Sequence, residues 1–149
     1  MNERYFDDFE VGQRFESRGV TVTESQILDF ALAYDPQPFH LDREAAARSP
    51  YGGLIASGFQ TMMIAFDLVL EQGVWNEASM GSPGLENVRW IRPVRPGDSL
   101  TVKAEVVSST PSQSRDDRGR TGIMYRVLNQ NGEVVMTYQI IHILKRRPG

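Results

Sequence analysis

The chain has 149 residues, of which 40% are apolar, and it carries a formal net charge of −3. This size suits one compact core, so we predict a single domain over residues 1–149. The negative charge argues against nucleic-acid binding, which needs a concentrated basic surface. The absence of cysteine excludes disulfides, thiolate nucleophiles and cysteine-ligated metals.

No segment of the sequence predicts a membrane protein. The longest apolar stretch, at residues 62–70, is interrupted by Asp67 and falls well short of the roughly 20 residues that a bilayer span requires. The first eight residues are acidic and lack the basic region and apolar run of a secretory signal. We therefore expect a cytoplasmic protein, and with only His40 and His142 as histidines we expect no metal site.

The first third of the chain predicts a strand followed by helices. Alternating apolar and polar residues at 20–23 suit a half-exposed strand, and Thr23 then caps a helix that runs to about Tyr34. The prolines in residues 35–38 end this helix and predict a stiff, extended segment. A short helix over residues 42–48 and a turn-rich connection over 49–53 follow.

The segment at residues 57–72 predicts one long helix with an unusual distribution of apolar side chains. They cover nearly the whole circumference instead of one stripe: Phe59, Met62, Met63, Ile64, Ala65, Phe66, Leu68, Val69 and Leu70. A helix of this kind needs to be enclosed by other elements.

The second half of the chain predicts the strands that enclose it. Their expected ranges are 85–91, 100–106, 123–128 and 134–144, with a turn at 95–98 and a hairpin turn at Asn131-Gly132. The polar stretch at 108–122 is interpreted as an exposed hairpin loop. With the strand ahead of the helices, these elements predict an α+β roll in which about five antiparallel strands wrap around a long central helix.

Asp35 and His40 are the first candidates for chemistry. They stand five positions apart on the proline-stiffened segment, which would hold a carboxylate and an imidazole in register. Such a pair can share one water, accept a proton from it and return a proton to substrate. The alternative is structural, with Asp35 ending one helix and His40 capping the next.

The glycine-rich stretch at residues 52–58 immediately precedes the central helix. Free amides at a helix N-terminus stabilise developing negative charge, and Gly58 is the candidate donor. The alternative is a tight turn in which Ser57 is an ordinary N-cap. A serine-hydrolase elbow is excluded, because Ile55 and Phe59 stand where that motif needs glycine.

Basic residues and the second histidine give weaker signals. Arg89, Arg92, Arg95 and the cluster at residues 145–147 could bind phosphate groups or an acidic partner protein, but solvated surface charge also explains them. His142 lies in an apolar strand, where it either packs or faces solvent.

Three segments together resemble the MaoC-like dehydratase family, which includes (R)-specific enoyl-CoA hydratases. They are residues 35–42, 52–58 and 88–98, and the resemblance extends from about residue 9 to 144. It implies a hotdog fold, usually dimeric, with the active site at the subunit interface. Two residues depart from the family pattern, since Gln37 replaces a common asparagine and Ser57 replaces a common histidine.

The same resemblance assigns the site residues. Asp35 and His40 match the catalytic pair, Gly58 matches the amide that holds the thioester carbonyl, and Ser57, Gly53 and Tyr51 complete the expected oxyanion and substrate-binding set.

The expected reaction is hydration of an enoyl thioester or dehydration of a 3-hydroxyacyl thioester. Its substrate would be carried on coenzyme A or a carrier protein. No metal or redox cofactor is expected, because the thioester itself acidifies the α-carbon. A hotdog thioesterase and a non-catalytic acyl-thioester binding protein are the alternatives.

Overall fold

The structure is a computed structural model that describes residues 4–149. Residues 1–3, the beginning of the N-terminus that argued against a secretory signal, lie outside the described residues. The helices are a 3-10 turn at Phe6–Asp8, α1 at Glu24–Tyr34, α2 at Pro38–Leu41, α3 at Arg43–Ala47 and α4 at Gly58–Leu70. The strands are β1 at Arg14–Glu16, β2 at Val20–Thr21, β3 at Gly84–Trp90, β4 at Ser99–Pro111, β5 at Arg118–Leu128 and β6 at Val134–Lys145. None of these helices is long and apolar enough to cross a bilayer.

The strands pair only in the antiparallel sense, with β4, β5 and β6 at the centre of the sheet. The order is β1-β4-β5-β6-β3, and β2 pairs with the beginning of β4, beside the part that β1 covers. Residues 4–149 thus contain six strands, whereas the sequence predicted about five. The difference arises because residues 14–21 form two short strands against β4.

The three central strands turn one face towards α4, and this face forms the core with the helix. Their apolar residues alternate with polar ones, so every second side chain points inward. The buried residues on these strands include Leu100, Val102, Ala104, Val106, Ile123, Tyr125, Val127, Met136, Tyr138, Ile140 and Leu144. Burying an aliphatic or aromatic side chain of this size contributes roughly 1.5 to 3 kcal/mol, which fixes the sheet on the helix.

The interpretation of residues 108–122 as an exposed loop was wrong. Strand β4 continues to Pro111 and β5 begins at Arg118, with Ser108 paired to Gly122 and Pro111 to Gly119. Polar side chains are compatible with a strand here because the backbone bonds of the ladder to β4 and β6 hold it in place. Gly119 lies against the Phe6 ring, where any Cβ would overlap the ring.

The sheet covers only one side of α4 within the described chain. Ala65, Leu68 and Val69 are buried against the sheet, whereas the side chains of Phe59 and Met63 are 62% and 50% exposed. The expectation that α4 is enclosed all round therefore holds for one face only. The other face leaves apolar surface in contact with solvent.

Strand β3 is the edge of the sheet next to the exposed face of α4. It pairs with β6 on one side, and no other strand of residues 4–149 pairs with its second side. Its residues are exposed apart from Val88, and the register shifts between Glu86 and Arg89, where Asn87 adopts a φ of 54°. This bulge turns the end of β3 towards the N-terminus of α4.

The ends of the described chain are held together by ion pairs. Arg146 Nε donates to Asp7 Oδ1 at 3.0 Å, and the Arg147 guanidinium bonds to the Asp8 carboxylate. The backbone amide of Arg147 also donates to Asp7 Oδ2 at 3.0 Å. The last strand and the first helical turn are therefore fixed to each other.

Candidate active site

Asp35 stands at the point where α1 ends. Thr23 begins this helix by accepting a hydrogen bond from the Gln26 amide, and the Gln26 side chain accepts one from the Thr23 amide. Asp35 is the C-cap, and its amide donates to the Ala31 carbonyl at 3.0 Å. Pro36 follows and prevents the helix from continuing. The carboxylate is thus fixed at a helix end.

The sequence predicted an extended segment between Asp35 and His40, but the structure has a helical turn there. Residues Pro38–Leu41 form a one-turn helix, α2, with Gln37 at its N-cap. The reason is that Pro38 occupies the first helical position, where its fixed φ favours a helix and its missing amide costs nothing. The turn carries His40 into the protein interior, where the residue is 4% exposed.

The tautomer of the neutral His40 ring follows from its hydrogen bond to the backbone. Its Nδ1 lies 2.7 Å from the Ile55 carbonyl oxygen. A carbonyl can only accept, so Nδ1 carries the hydrogen and Nε2 of the neutral ring keeps a free lone pair. This Nε2 lies 3.4 Å from Oδ2 of Asp35.

The Asp35 carboxylate is held by two side-chain donors. The Ser57 hydroxyl donates to Oδ2 and the Gln37 amide donates to Oδ1, each at 2.7 Å. Burial alone would raise the pKa of this carboxyl, but the hydrogen bonds from Ser57 and Gln37 outweigh it and lower the pKa. His40 lowers this pKa further when its ring is protonated. Asp35 is therefore ionised at neutral pH.

The N-terminus of α4 completes the group. Ser57 is the N-cap, and besides bonding Asp35 its Oγ accepts from the Phe59 amide at 3.3 Å. The Gly58 amide, at the first helical position, has no hydrogen-bond partner within residues 4–149. The Trp90 indole lies so close to Gly58 that any Cβ there would overlap it. Only glycine lets the indole and the helix end approach in this way.

These residues border a cavity of about 440 Å³. Its lining includes Asp35, Gln37, Phe39, His40, Tyr51, Ile55, Ala56, Gly58, Phe59, Thr61, Trp90, Ile91, Arg92, Pro93, Val94 and Val135. Of the site residues expected from the sequence, four line it, while Ser57 is fully buried behind Asp35. Gly53 does not line it and lies near the Arg95 guanidinium.

Sequence reasoning did not assign a role to Gln37, Phe59 or Trp90. Gln37 had been noted only as a departure from the family pattern, yet it bonds the candidate acid directly. Phe59 and Trp90 contact each other edge to face across the cavity, with ring centroids 5.7 Å apart. The signal available for Trp90 was its position in the third family motif.

The basic residues divide between the cavity and the far side of the molecule. Arg92 lines the cavity and pairs with Glu133 at 3.2 Å, and Arg95 donates to the carbonyl of Tyr51 at 2.6 Å. Arg146 and Arg147 instead bind Asp7 and Asp8. Of these four residues, Arg92 lines the cavity and Arg95 bonds to Tyr51, a lining residue.

The chain is similar to known proteins over nearly its whole length. The MaoC like domain family matches residues 8–125. The crystal structure of the MaoC-like dehydratase from Rhodospirillum rubrum is 40% identical, with a TM-score of 0.92 over 98% of this chain and 99% of that chain. The 3-hydroxybutyryl-CoA dehydratase of Methylorubrum extorquens is 31% identical over 116 residues, which are 74% of this chain and 69% of that protein.

A further likeness identifies the fold. The R-hydratase PhaJ1 from Pseudomonas aeruginosa superposes with a TM-score of 0.71 at 25% identity, covering 97% of this chain and 91% of that chain. The antiparallel sheet packed on α4 is the hotdog fold, which confirms the fold expected from the sequence.

Proposed function

The chain belongs to the MaoC-like domain family, and from that premise we propose that it adds water to, or removes water from, an enoyl or 3-hydroxyacyl thioester. One observation carries the proposal. The free Nε2 of His40 and the ionised Oδ2 of Asp35 lie 3.4 Å apart, and both residues line a cavity that Gly58 lines as well. Hydration and dehydration are the same reaction in opposite directions, so one set of groups serves both.

Both of these atoms accept hydrogen bonds, so a water bound between them donates one hydrogen to each. Its oxygen adds to the β-carbon while His40 Nε2 accepts a proton. The lowered pKa of Asp35 makes it the weaker base, and its negative charge stabilises the imidazolium that forms. His40 then returns the proton to the α-carbon, so the elements of water end on adjacent carbons.

The free amide of Gly58 would bind the thioester oxygen. Negative charge develops on that oxygen when water adds to the conjugated double bond, and an amide at a helix N-terminus stabilises it. Trp90 and Phe59 line the same cavity and supply apolar surface beside Gly58. The chemistry uses Asp35, His40 and the reactivity of the thioester, and we propose no further cofactor.

We propose that the substrate is a thioester of coenzyme A or of a carrier protein, which also favours a cytoplasmic location. Arg92 lines the cavity, and Arg95 is bonded to the backbone of Tyr51, another lining residue. Both guanidinium groups are positioned to meet the phosphates that these carriers bring.

We also propose that the protein works as a homodimer. Exposed apolar residues surround the cavity and continue along β3 and α4, including Phe59, Met63, Leu85, Trp90 and Ile91. A continuous apolar patch next to an unpaired strand edge is typical of an interface. A second copy that covers this surface would enclose the exposed face of α4 and one wall of the cavity.

The test is an assay of hydration with enoyl-CoA substrates of varied chain length. The loss of the ultraviolet absorbance of the conjugated double bond measures the reaction rate. Asp35→Asn and His40→Ala should each reduce kcat by about 10²-fold to 10⁴-fold, the contribution of a positioned acid or base. Asp29→Asn is the control, because Asp29 is exposed on the same helix and should retain activity. Full activity in both site variants would overturn the mechanism.

The same assay separates the alternatives. A thioesterase would release free thiol, which a colorimetric thiol reagent detects. A binding protein would show tight acyl-CoA binding in calorimetry with neither reaction.

A further inference from the structure

A second cavity of about 540 Å³ lies farther along α4 from the candidate active site. Its walls are Met62, Met63, Phe66, Leu70, Trp75, Asn76, Ser79, Gly81, Ser82, Gly84, Leu85, Tyr138, Ile140 and His142. Most of these residues are apolar. The mechanism proposed above uses none of them.

The second cavity continues the direction of the first. The first cavity contacts the beginning of α4 up to Thr61, and the second contacts α4 from Met62 to Leu70. On β6 the first cavity is lined by Val135, and the second is lined by Tyr138, Ile140 and His142. Gly58 and Phe66 are separated by about 12 Å along the helix axis, at 1.5 Å per residue. An acyl chain whose thioester oxygen binds Gly58 and which runs along α4 therefore enters the second cavity.

The sheet wall of this cavity includes one buried polar group that has no hydrogen-bond partner within residues 4–149, the Tyr138 hydroxyl. The Tyr138 residue is 1% exposed. Its ring stacks on Tyr125 with centroids 5.0 Å apart, so the phenol is fixed in position. The Tyr125 hydroxyl in turn bonds to Nε2 of His142 at 2.7 Å.

These groups favour an uncharged polar ligand over a charged one. No arginine or lysine among residues 4–149 lines the cavity. Burial lowers the pKa of His142 to about 4, so the ring is neutral at physiological pH. A carboxylate would lack a cation partner here, and burying it would be strongly unfavourable. A hydroxyl or ketone oxygen needs only the hydrogen bond that the free Tyr138 phenol can donate.

We propose that the second cavity binds the distal part of the acyl chain and that Tyr138 selects chains bearing a hydroxyl or oxo group there. This inference rests on the proposed function, because it takes the acyl thioester as the ligand of the first cavity. Met62 and Met63 line the same cavity, and their flexible side chains can move to admit the chain to the phenol.

Calorimetry with saturated acyl-CoA probes tests the inference without requiring turnover. Decanoyl-CoA is compared with isomers of hydroxydecanoyl-CoA in which the hydroxyl lies beyond the middle of the chain. One isomer should bind the wild-type protein about tenfold more tightly than decanoyl-CoA, the value of one hydrogen bond to a buried group that otherwise has no partner. Tyr138→Phe should abolish this preference and leave decanoyl-CoA affinity unchanged or higher.

Tyr138→Phe removes only an unpaired hydroxyl, so the variant should fold with an unchanged or raised Tm. Butyryl-CoA is the matched control probe, since its chain is too short to reach Tyr138 and its affinity should be equal in both proteins. Equal binding of all isomers to the wild-type protein, or no binding of any long-chain probe, would overturn the inference. A preference that depends on Tyr138 in a protein without hydratase activity would support the inference and reject the proposed function.

Discussion

The Ser57 hydroxyl donates at 2.7 Å to Oδ2 of Asp35, the same oxygen that lies 3.4 Å from Nε2 of His40. The N-cap of the central helix is thus hydrogen-bonded to the carboxylate of the candidate acid-base pair, and His40 Nε2 lies beside the same oxygen. Because the Ser57 hydroxyl stabilises the ionised carboxylate, it lowers the pKa of Asp35. The same hydrogen bond orients the carboxylate.

Ser57→Ala should raise the pKa of Asp35. The variant lacks the hydroxyl that lowers this pKa. Asp35 should therefore take up its proton at a higher pH in the variant than in the wild-type protein. The limb of the kcat/KM profile that reports Asp35 should move to higher pH, and NMR titration of the Asp35 carboxyl carbon measures the same shift directly. Loss of the N-cap should also lower the free energy of unfolding by about 1 kcal/mol.

Ser57→Thr is the control for this change, because threonine keeps a hydroxyl at the N-cap. Its titration should remain close to that of the wild-type protein. An Asp35 titration that is identical in the alanine variant would show that Ser57 has no electrostatic role.

Gly58→Ala should impair both packing and activity. The added methyl overlaps the Trp90 indole, which must move away from the helix end. Overpacking of this kind costs about 1 to 3 kcal/mol, and displacement of the adjacent amide can reduce kcat up to about a hundredfold. Tryptophan fluorescence should report the displacement of Trp90.

The matched control is Gly53→Ala. A Cβ at Gly53 would lie 3.5 Å from Arg95 Nη1, which is an ordinary contact, so this variant should keep its stability and activity. Equal effects of the two substitutions would mean that the Trp90 contact is unimportant.

His142 should make the fold sensitive to mild acid. Burial lowers its pKa from 6.5 to about 4, so between these values the unfolded chain takes up a proton that the folded chain does not. The contribution of His142 to the free energy of unfolding is therefore at its full value above pH 6.5 and is lost as the pH falls towards 4. The loss amounts to about 3 kcal/mol, at 1.36 kcal/mol per pKa unit.

Urea unfolding across this range measures the effect. His142→Gln should show a smaller decrease between pH 6.5 and 4 than the wild-type protein. The lowered pKa of Asp35 acts in a separate window, because its contribution is lost only as the pH falls below its usual value of 3.8. Parallel curves for wild type and variant would contradict the assignment.

Leu85→Glu should weaken the proposed dimer. Leu85 is 47% exposed on the edge strand β3, and a charge buried there would lack a partner. The dimer dissociation constant in analytical ultracentrifugation should rise by about a hundredfold or more. Val11→Glu is the control, since Val11 is 65% exposed just before β1, at the opposite edge of the sheet. If both substitutions changed the dimer dissociation constant equally, Leu85 would not belong to the interface.

Local signals in the sequence predicted much of the fold. Thr23 caps α1, Ser57 caps α4, and the Asn131-Gly132 turn joins β5 to β6, all of which depend on neighbouring residues. The strand pairing within residues 108–122 was missed, because polar residues become strand only when a partner strand is present.

The sequence indicated candidate residues for the site but not the contacts between them. Asp35 and His40 could be proposed as a pair from the short motif that they share and from the resemblance of three segments to one family. Their partners could not, because Ser57 is 22 residues from Asp35 and Ile55 is 15 residues from His40. Which donor orients which acceptor is decided by tertiary packing between α4 and the helices before it.

The ion pairs between residues 7–8 and 146–147 bring the two ends of the hotdog domain side by side. A circular permutant that joined these ends and opened in the exposed loop between β4 and β5 would retain every strand pairing and an uninterrupted segment from Asp35 to Trp90.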